Sequence, residues 1–171
     1  MINNEFISEL KGKNCLVTGG AGSLGSYLVA ELLRLGAQVV VLDDLSSGRL
    51  DNINHSSPNL TFIKGSVTSQ EDLDKAFSKS ISYVFHLAAH FANQNSVEHP
   101  YEDLMTNAAG TVLLLNMCRN IPSLKRILYA SSSCVLGPQD GILKEESEVM
   151  PETPYGFSKL AGEEYSLFYS L

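Results

Sequence analysis

The feature that most constrains this chain is a cluster of glycines wedged between two apolar segments. Asn14-Cys-Leu-Val-Thr18 reads as a buried strand, and Leu24, Leu28, Val29, Leu32 and Leu33 form a helical stripe. Between them runs Thr18-Gly-Gly-Ala-Gly-Ser-Leu-Gly25. Two glycine frames fit it: Gly19, Gly22 and Gly25 at intervals of three, or Gly20, Gly22 and Gly25. Either frame lets the chain turn tightly, brings backbone close to a pyrophosphate and allows the helix to pack on the strand. The helix N-terminus then presents free N–H groups and a partial positive charge to the phosphates. A glycine pattern alone is weak evidence, but a strand before it and a helix after it supply the context it needs.

Asp43 adds a second condition. It ends the next apolar run, Val39 to Leu42, and lies 18 residues after Gly25. A carboxylate there can accept both ribose hydroxyls of an adenosine and would repel a 2′-phosphate, so NAD is expected rather than NADP.

Further along, Leu60–Ile63, Tyr83–Leu87 and Ile127–Ala130 read as strands. Gln70–Ser78, Pro100–Arg119 and the segment from Pro154 onward read as helices. Gly36 follows the first helix as a stop signal. Ser46–Asn59 and Gly137–Pro151 read as loops, and Ile2, Phe6, Ile7 and Leu10 stand at helical spacing near the start. Strands that are apolar throughout and alternate with helices predict an α/β fold. Its expected form is a doubly wound parallel sheet of five strands in the order 3-2-1-4-5, forming one domain over residues 1–171. Ligands then bind at the carboxyl ends of the strands.

Composition narrows the function classes. A net charge of −7 argues against nucleic acid or an anionic membrane surface as the main partner, since both require clustered Lys and Arg. No run approaches the ~18 apolar residues of a membrane span, and the start lacks the features of a secretion signal. Cys15, Cys118 and Cys134 are scattered and not spaced as metal ligands, so no metal and a reduced cytoplasmic protein are expected.

Tyr155 and Lys159 are four residues apart in a helical segment and share a face. A tyrosine titrates near ~10, too high for a base at neutral pH. An ammonium one turn away is expected to stabilise the phenolate and bring that value down. Ser131-Ser132-Ser133 follows strand five, where a hydroxyl can hold a sugar hydroxyl toward the tyrosine. Together these features predict a hydride-transfer site.

At this point the chain resembles the extended short-chain dehydrogenase/reductase family, in its NAD-dependent epimerase/dehydratase branch. The resemblance rests on Thr18–Gly25, Asp43-Asp-Leu-Ser-Ser-Gly48, His86-Leu-Ala-Ala89, Asn107-Ala-Ala-Gly110, Ser131-Ser-Ser-Cys-Val-Leu-Gly137 and Pro154-Tyr-Gly-Phe-Ser-Lys159. It implies a Rossmann domain in which Gly19, Gly22 and Gly25, with Ser23 and Leu24, cradle the pyrophosphate and Asp43 holds the adenosine ribose. Ser66 and Val67 after strand three, and Leu87, Ala88 and Ala89 after strand four, would line the cofactor. Asn107 would support the site geometry. Ser132, with Ser133 a near alternative, would be the catalytic serine, Tyr155 the base, and Lys159 its electrostatic partner and a ligand of the nicotinamide ribose.

There are departures from the family. Gly65-Ser66 replaces a frequent Gly-Asp whose Asp contacts adenine, and Leu136 replaces a frequent tyrosine. Ser133-Cys134 stands where 4,6-dehydratases carry Asp-Glu, which argues against dehydration and weakens a decarboxylase reading. Ser-Ser-Cys also resembles epimerase-reductases in which the cysteine is an acid or base, whereas Asp43 fits that branch poorly. His86 and His90 read as structural, with His90 facing the crevice and able to touch substrate.

The implied activity is that of an NAD-dependent epimerase acting on a nucleotide-sugar, a UDP-hexose above all, by transient oxidation at C4. Dehydratase, decarboxylase, epimerase-reductase and inactive NAD-binding fragment are the alternatives. The family is about twice this length, and Leu167, Phe168 and Leu171 look like residues meant to pack on something. The expectation is a truncated chain without its C-terminal substrate domain. Helices Pro100–Arg119 and Pro154 onward are those through which family members dimerise, so a homodimer is expected.

Overall fold

A computed structural model describes residues 8–90 and 93–170. Of the helix expected near the start, residues 8–10 are helical, while Ile2, Phe6 and Ile7 lie outside the described residues, as does Leu171. The elements in chain order are β1 (Asn14–Thr18), α1 (Ser23–Arg34), β2 (Gln38–Asp43), β3 (Leu60–Lys64), α2 (Gln70–Ala76), β4 (Ile81–His86), α3 (Asn93–Glu98), α4 (Pro100–Asp103), a π-helical stretch (Leu104–Ala109), α5 (Gly110–Cys118), β5 (Arg126–Tyr129) and α6 (Pro154–Ser170). Short 3-10 turns occupy Leu50–Asn52 and Ser133–Val135.

The strands form one parallel sheet in the order β3-β2-β1-β4-β5, as the alternation of apolar strands and helices predicts. Side chains alternate between two apolar layers. Leu16, Val40, Leu42 and Val84 pack with Leu73, Ala76, Leu114 and Cys118 of α2 and α5. Cys15, Val17, Val39 and Val41 pack on the opposite face with Val29 and Leu32 of α1. A register shift between β1 and β4, where Asn14 pairs with Ile81 and Cys15 with Tyr83, lets Ile81 join the first layer and Tyr83 the second. The two apolar layers exclude water from the strands, which leaves polar groups to gather at the strands' carboxyl ends.

Two features depart from the sequence reading. Asn93–Glu98 forms a short helix whose polar sequence carries no amphipathic stripe. Pro100–Arg119 is not one regular helix: six residues, Leu104–Ala109, wind as a π-helix. Such a bulge re-aims side chains without breaking the helix and is frequent at functional sites. Here it holds Asn107. At the far edge, Leu128 of β5 is half exposed, as are Leu167 and Phe168 on α6.

Candidate active site

The glycine loop sits where β1 meets α1. Gly22 is the N-cap of α1 and offers no side chain to the first turn, so the helix's leading N–H groups at Ser23, Leu24 and Gly25 face outward from the sheet edge. Two glycines are sterically compelled. Gly19 has φ +68°, and a Cβ there would lie 2.7 Å from the Ala88 nitrogen. A Cβ on Gly25 would lie 2.1 Å from the Gly19 carbonyl oxygen. The loop therefore forms a bare-backbone cradle at a helix N-terminus, which fits a pyrophosphate.

Asp43, at the end of β2, is buried and joins this cradle directly. One carboxylate oxygen accepts the Ala21 N–H at 2.9 Å and the other accepts the Leu45 N–H at 2.8 Å. Each oxygen keeps a lone pair, enough for the two hydroxyls of a ribose. Leu45 takes φ +63°, an uncommon conformation for a branched side chain, and the bond to Asp43 helps to hold it. The Arg49 N–H and the Asn52 amide both donate to the Ala21 carbonyl, closing the 44–52 loop over the cradle.

Around the remaining expected cofactor contacts, the Ser66 N–H donates to Asp72 at 3.2 Å and its hydroxyl pairs with that of Thr68 at 2.9 Å. Val67 is buried in the α2–α5 layer, so only its backbone can face a ligand. Leu87 and Ala88 run past the end of β1: the Leu87 N–H donates to the Thr18 carbonyl and the Ala88 N–H to the Thr18 hydroxyl.

Ser132, Tyr155 and Lys159 also come together at this edge. The Ser132 hydroxyl accepts the Cys134 N–H at 3.2 Å and caps the 3-10 turn. Of the two candidate serines it is Ser132 whose side chain acts on the Tyr155 phenol, holding it down against burial. Tyr155 and Lys159 are both nearly buried on α6.

The electrostatics differ from the sequence expectation. Burial raises the Tyr155 phenol above its ordinary value; the Ser132 bond opposes this, while Cys134 and Asp103 add to it. Lys159 does not bring the phenol down, because its amine is aimed elsewhere: it lies 4.3 Å from the centre of the Tyr129 ring. Burial depresses the Lys159 amine to about 8, with Asp103 and Glu163 pulling the other way. The Tyr129 hydroxyl donates to the Lys159 carbonyl at 3.3 Å, which leaves no room for a side chain at Gly162, where a Cβ would overlap that hydroxyl.

Asn107, in the π-helical stretch, ties the site's walls together. Its Oδ1 accepts the His90 N–H at 2.7 Å; its amide nitrogen lies within hydrogen-bond reach of the His90 carbonyl, Asp103 Oδ1 and Ser158 Oγ. The segment after β4 is thereby fastened to α6 one residue before Lys159. Asp103 was not anticipated. It is fully buried, and its Oδ2 and the Nδ1 of His90 have no hydrogen-bond partner. Burial raises its carboxyl above the usual range. The signal was present: Asp103 lies four residues before Asn107, on the same face. No group of three His, Cys, Asp or Glu side chains fit to hold a metal ion occurs among the described residues.

Comparison with known proteins agrees with this fold. Residues 15–170 match the NAD dependent epimerase/dehydratase family. A putative UDP-glucose 4-epimerase of Methanocaldococcus jannaschii is 35% identical over 156 residues, covering 91% of this chain and 50% of that protein. The crystal structure of a Thermotoga maritima UDP-glucose 4-epimerase with UDP-glucose superposes with TM-score 0.85 at 35% identity, over 92% of this chain and 51% of that one. A Thermus thermophilus UDP-glucose 4-epimerase in complex with NAD gives TM-score 0.83 at 32% identity, over 92% and 50%. The chain spans about half the length of these relatives. With the match running almost from end to end of its own sequence, the chain belongs to the NAD dependent epimerase/dehydratase family.

Proposed function

We propose that residues 1–171 form the NAD-binding unit of a cytoplasmic nucleotide-sugar 4-epimerase whose substrate is a UDP-hexose. The observation that carries this reading is the bare-backbone cradle of Gly19–Gly25 with Asp43 bonded into it, at the helix N-terminus that follows β1. The two solved structures named above are UDP-glucose 4-epimerases, one with UDP-glucose and the other in complex with NAD. Gly19, Gly22 and Gly25, with the Ser23 and Leu24 N–H groups, hold the pyrophosphate; Asp43 takes the adenosine ribose; Ser66, Val67, Leu87, Ala88 and Ala89 line the channel. NAD, when bound, supplies a hydride acceptor.

The residues of the chain do the rest. Ser132 orients the sugar hydroxyl toward Tyr155, and Tyr155 removes its proton as hydride leaves the same carbon. Lys159, protonated at neutral pH with its amine titrating near 8, supplies positive charge to the phenol once its side chain leaves the Tyr129 ring. Return of hydride to the opposite face of the oxidised carbon, with return of the proton to its oxygen, inverts that centre, and protons and electrons balance over a turnover. The test is interconversion of UDP-glucose and UDP-galactose by the gene product that carries this sequence, wild type against Tyr155→Phe. A loss of about 10²-fold or more is expected for removing the base, with NAD affinity held within about threefold because the ring remains. Interconversion at the wild-type rate in the variant would refute the role given to Tyr155.

A homodimer through α4, the π-helical stretch and α6 is part of the same proposal. Tyr101, Leu104 and Phe157 are exposed on that face, and Leu104 and Phe157 line a groove with Pro100, Pro154 and Ala161. Exposed apolar residues grouped in this way suit an isologous interface. Phe157→Lys is expected to shift sedimentation from dimer to monomer; a wild-type monomer at micromolar concentration would contradict the proposal.

A further inference from the structure

His86, the last residue of β4, is completely buried at the centre of a hydrogen-bonded chain whose direction can be worked out atom by atom. The Thr111 hydroxyl lies 2.6 Å from the Asn107 carbonyl, which can only accept, so the hydroxyl proton is committed there. His86 Nε2 lies 2.9 Å from the same Thr111 oxygen and must therefore donate to it. With the proton on Nε2, Nδ1 is bare and accepts from the Thr18 hydroxyl at 2.6 Å. The Thr18 oxygen in turn accepts the Ala88 N–H at 3.3 Å.

The chain thus runs from Ala88 through Thr18, His86 and Thr111 to the carbonyl of Asn107, every donor and acceptor used in one sense. Reversal would strip the Asn107 carbonyl of the Thr111 donor. It would also bring two donors, from Ala88 and from His86 Nδ1, onto the Thr18 oxygen. Buried polar networks that are fully satisfied in only one arrangement specify a single geometry.

Its ends are what give this chain a function beyond filling the core. Thr18 immediately precedes Gly19, whose α-carbon packs against the Ala88 backbone. Asn107 holds the His90 backbone and the Ser158 hydroxyl, next to Lys159. We infer that His86 is a positioning residue: as the Nε2–H tautomer it fixes the glycine cradle and the Ala88 backbone relative to the helix turn that bears Asn107. His86 touches no expected ligand and acts through Thr18 and Thr111. Burial, and after it the charge of Lys159 that faces the ring, disfavour a second proton on the imidazole; the Tyr129 ring lies beside it at 5.7 Å between centroids. The inference rests on the cofactor reading, since the geometry it protects is that of the NAD site.

The test is nitrogen-15 NMR of the histidine rings in the 171-residue chain, with calorimetric titration of NAD. The wild type is expected to show His86 as the Nε2–H tautomer without titration between about pH 5.5 and 8, and saturating NAD is expected to shift its ring resonances. Thr111→Val removes the acceptor, and is expected to move the proton to Nδ1 and weaken NAD by about tenfold, the effect of one buried hydrogen bond. Thr111→Ser, which restores the hydroxyl, is expected to recover both. An Nδ1–H tautomer in the wild type, ring resonances indifferent to NAD, or a Thr111→Val protein with unchanged NAD affinity would each overturn the inference. Failure of the wild type to bind NAD at all would instead overturn the proposed function.

Discussion

Replacing Gly25 with alanine sets two opposing effects against each other. Gly25 stands in the first turn of α1, where alanine would ordinarily gain up to about 1 kcal/mol from helix propensity. Against this, the new methyl would sit 2.1 Å from the Gly19 oxygen, 2.7 Å from the Gly20 α-carbon and 2.9 Å from the Gly19 carbonyl carbon. Ordinary contact begins near 3.4 Å, so the loop or the helix must retreat by more than about 1 Å. Nothing flexible stands in the way to absorb the movement, because all three atoms are backbone.

Neither side can move alone. The Gly19 N–H bonds the Leu42 carbonyl, and its α-carbon rests on Ala88, which anchors the loop to both neighbouring strands. Overpacking of this kind costs about 1–3 kcal/mol, and with three backbone contacts under 3 Å the upper part of that range applies, so a net loss of up to about 2 kcal/mol is expected. The displacement also falls on the cradle itself, and a cradle opened by ~1 Å is expected to lose at least about tenfold in NAD affinity, since misplacement on that scale is costly wherever geometry is preorganised. Urea denaturation gives the first number and calorimetric titration of NAD the second. A variant as stable as the wild type, with NAD affinity intact, would refute the claim that Gly25 is required by close approach.

Two further predictions follow from the buried polar groups. Asp43→Asn exchanges a carboxylate oxygen bonded to a backbone N–H for an amide that opposes one, at a cost of about 1–3 kcal/mol; it is also expected to narrow the preference for NAD over NADP, read by comparing the two dissociation constants. Burial holds His86 down to about 3, against 6.5 when exposed, so the unfolded chain takes up a proton that the native chain refuses as pH falls through that window. Stability is therefore complete above pH 6.5 and is lost below it, by about 1–1.5 kcal/mol at pH 5.5, with the raised Asp103 carboxyl giving a smaller opposite slope at lower pH. Urea curves at pH 7.5 and 5.5 measure the difference, and the same difference in His86→Gln would assign it to another group.

Much of this architecture could be read from the residues because it follows from short-range rules. Strands of continuous Val, Leu and Ile separated by helical stripes demand a parallel sheet, and the glycine run marks where its first helix begins. Asp43 was identifiable because it ends an apolar run, and Tyr155 with Lys159 because four residues make one helical turn. What escaped depends on tertiary placement. The π-helical stretch at Leu104–Ala109 has no compositional mark. Thr111 and Thr18 are ordinary residues until His86 lies between them, 68 residues from one and 25 from the other. The Lys159 amine was expected at the Tyr155 phenol, since a shared helix face brings the two chains near each other. It lies over Tyr129 instead because β5 ends there and presents an aromatic face beneath α6.

That displacement bears on how the site operates. Burial pushes Tyr155 and Lys159 toward their neutral forms, the phenol upward and the amine downward. At neutral pH the amine, titrating near 8, still carries its proton, whereas the phenol keeps its own. The phenol is therefore an acid where the proposed reaction calls for a base. Ser132 narrows that gap, and Cys134 and Asp103 widen it. A cation brought beside the phenol is the remaining way to lower it. The Lys159 side chain can supply one by leaving the Tyr129 face, a contact of the cation–π kind worth only about 0.5–2 kcal/mol. In the proposed reaction, reorientation of that one side chain, favoured by a ligand that bonds its ammonium, lowers the phenol toward the form a base requires. In the proposed function Tyr129 is thus the competing partner of the Lys159 amine, and the base strength of Tyr155 depends on which of the two that amine faces.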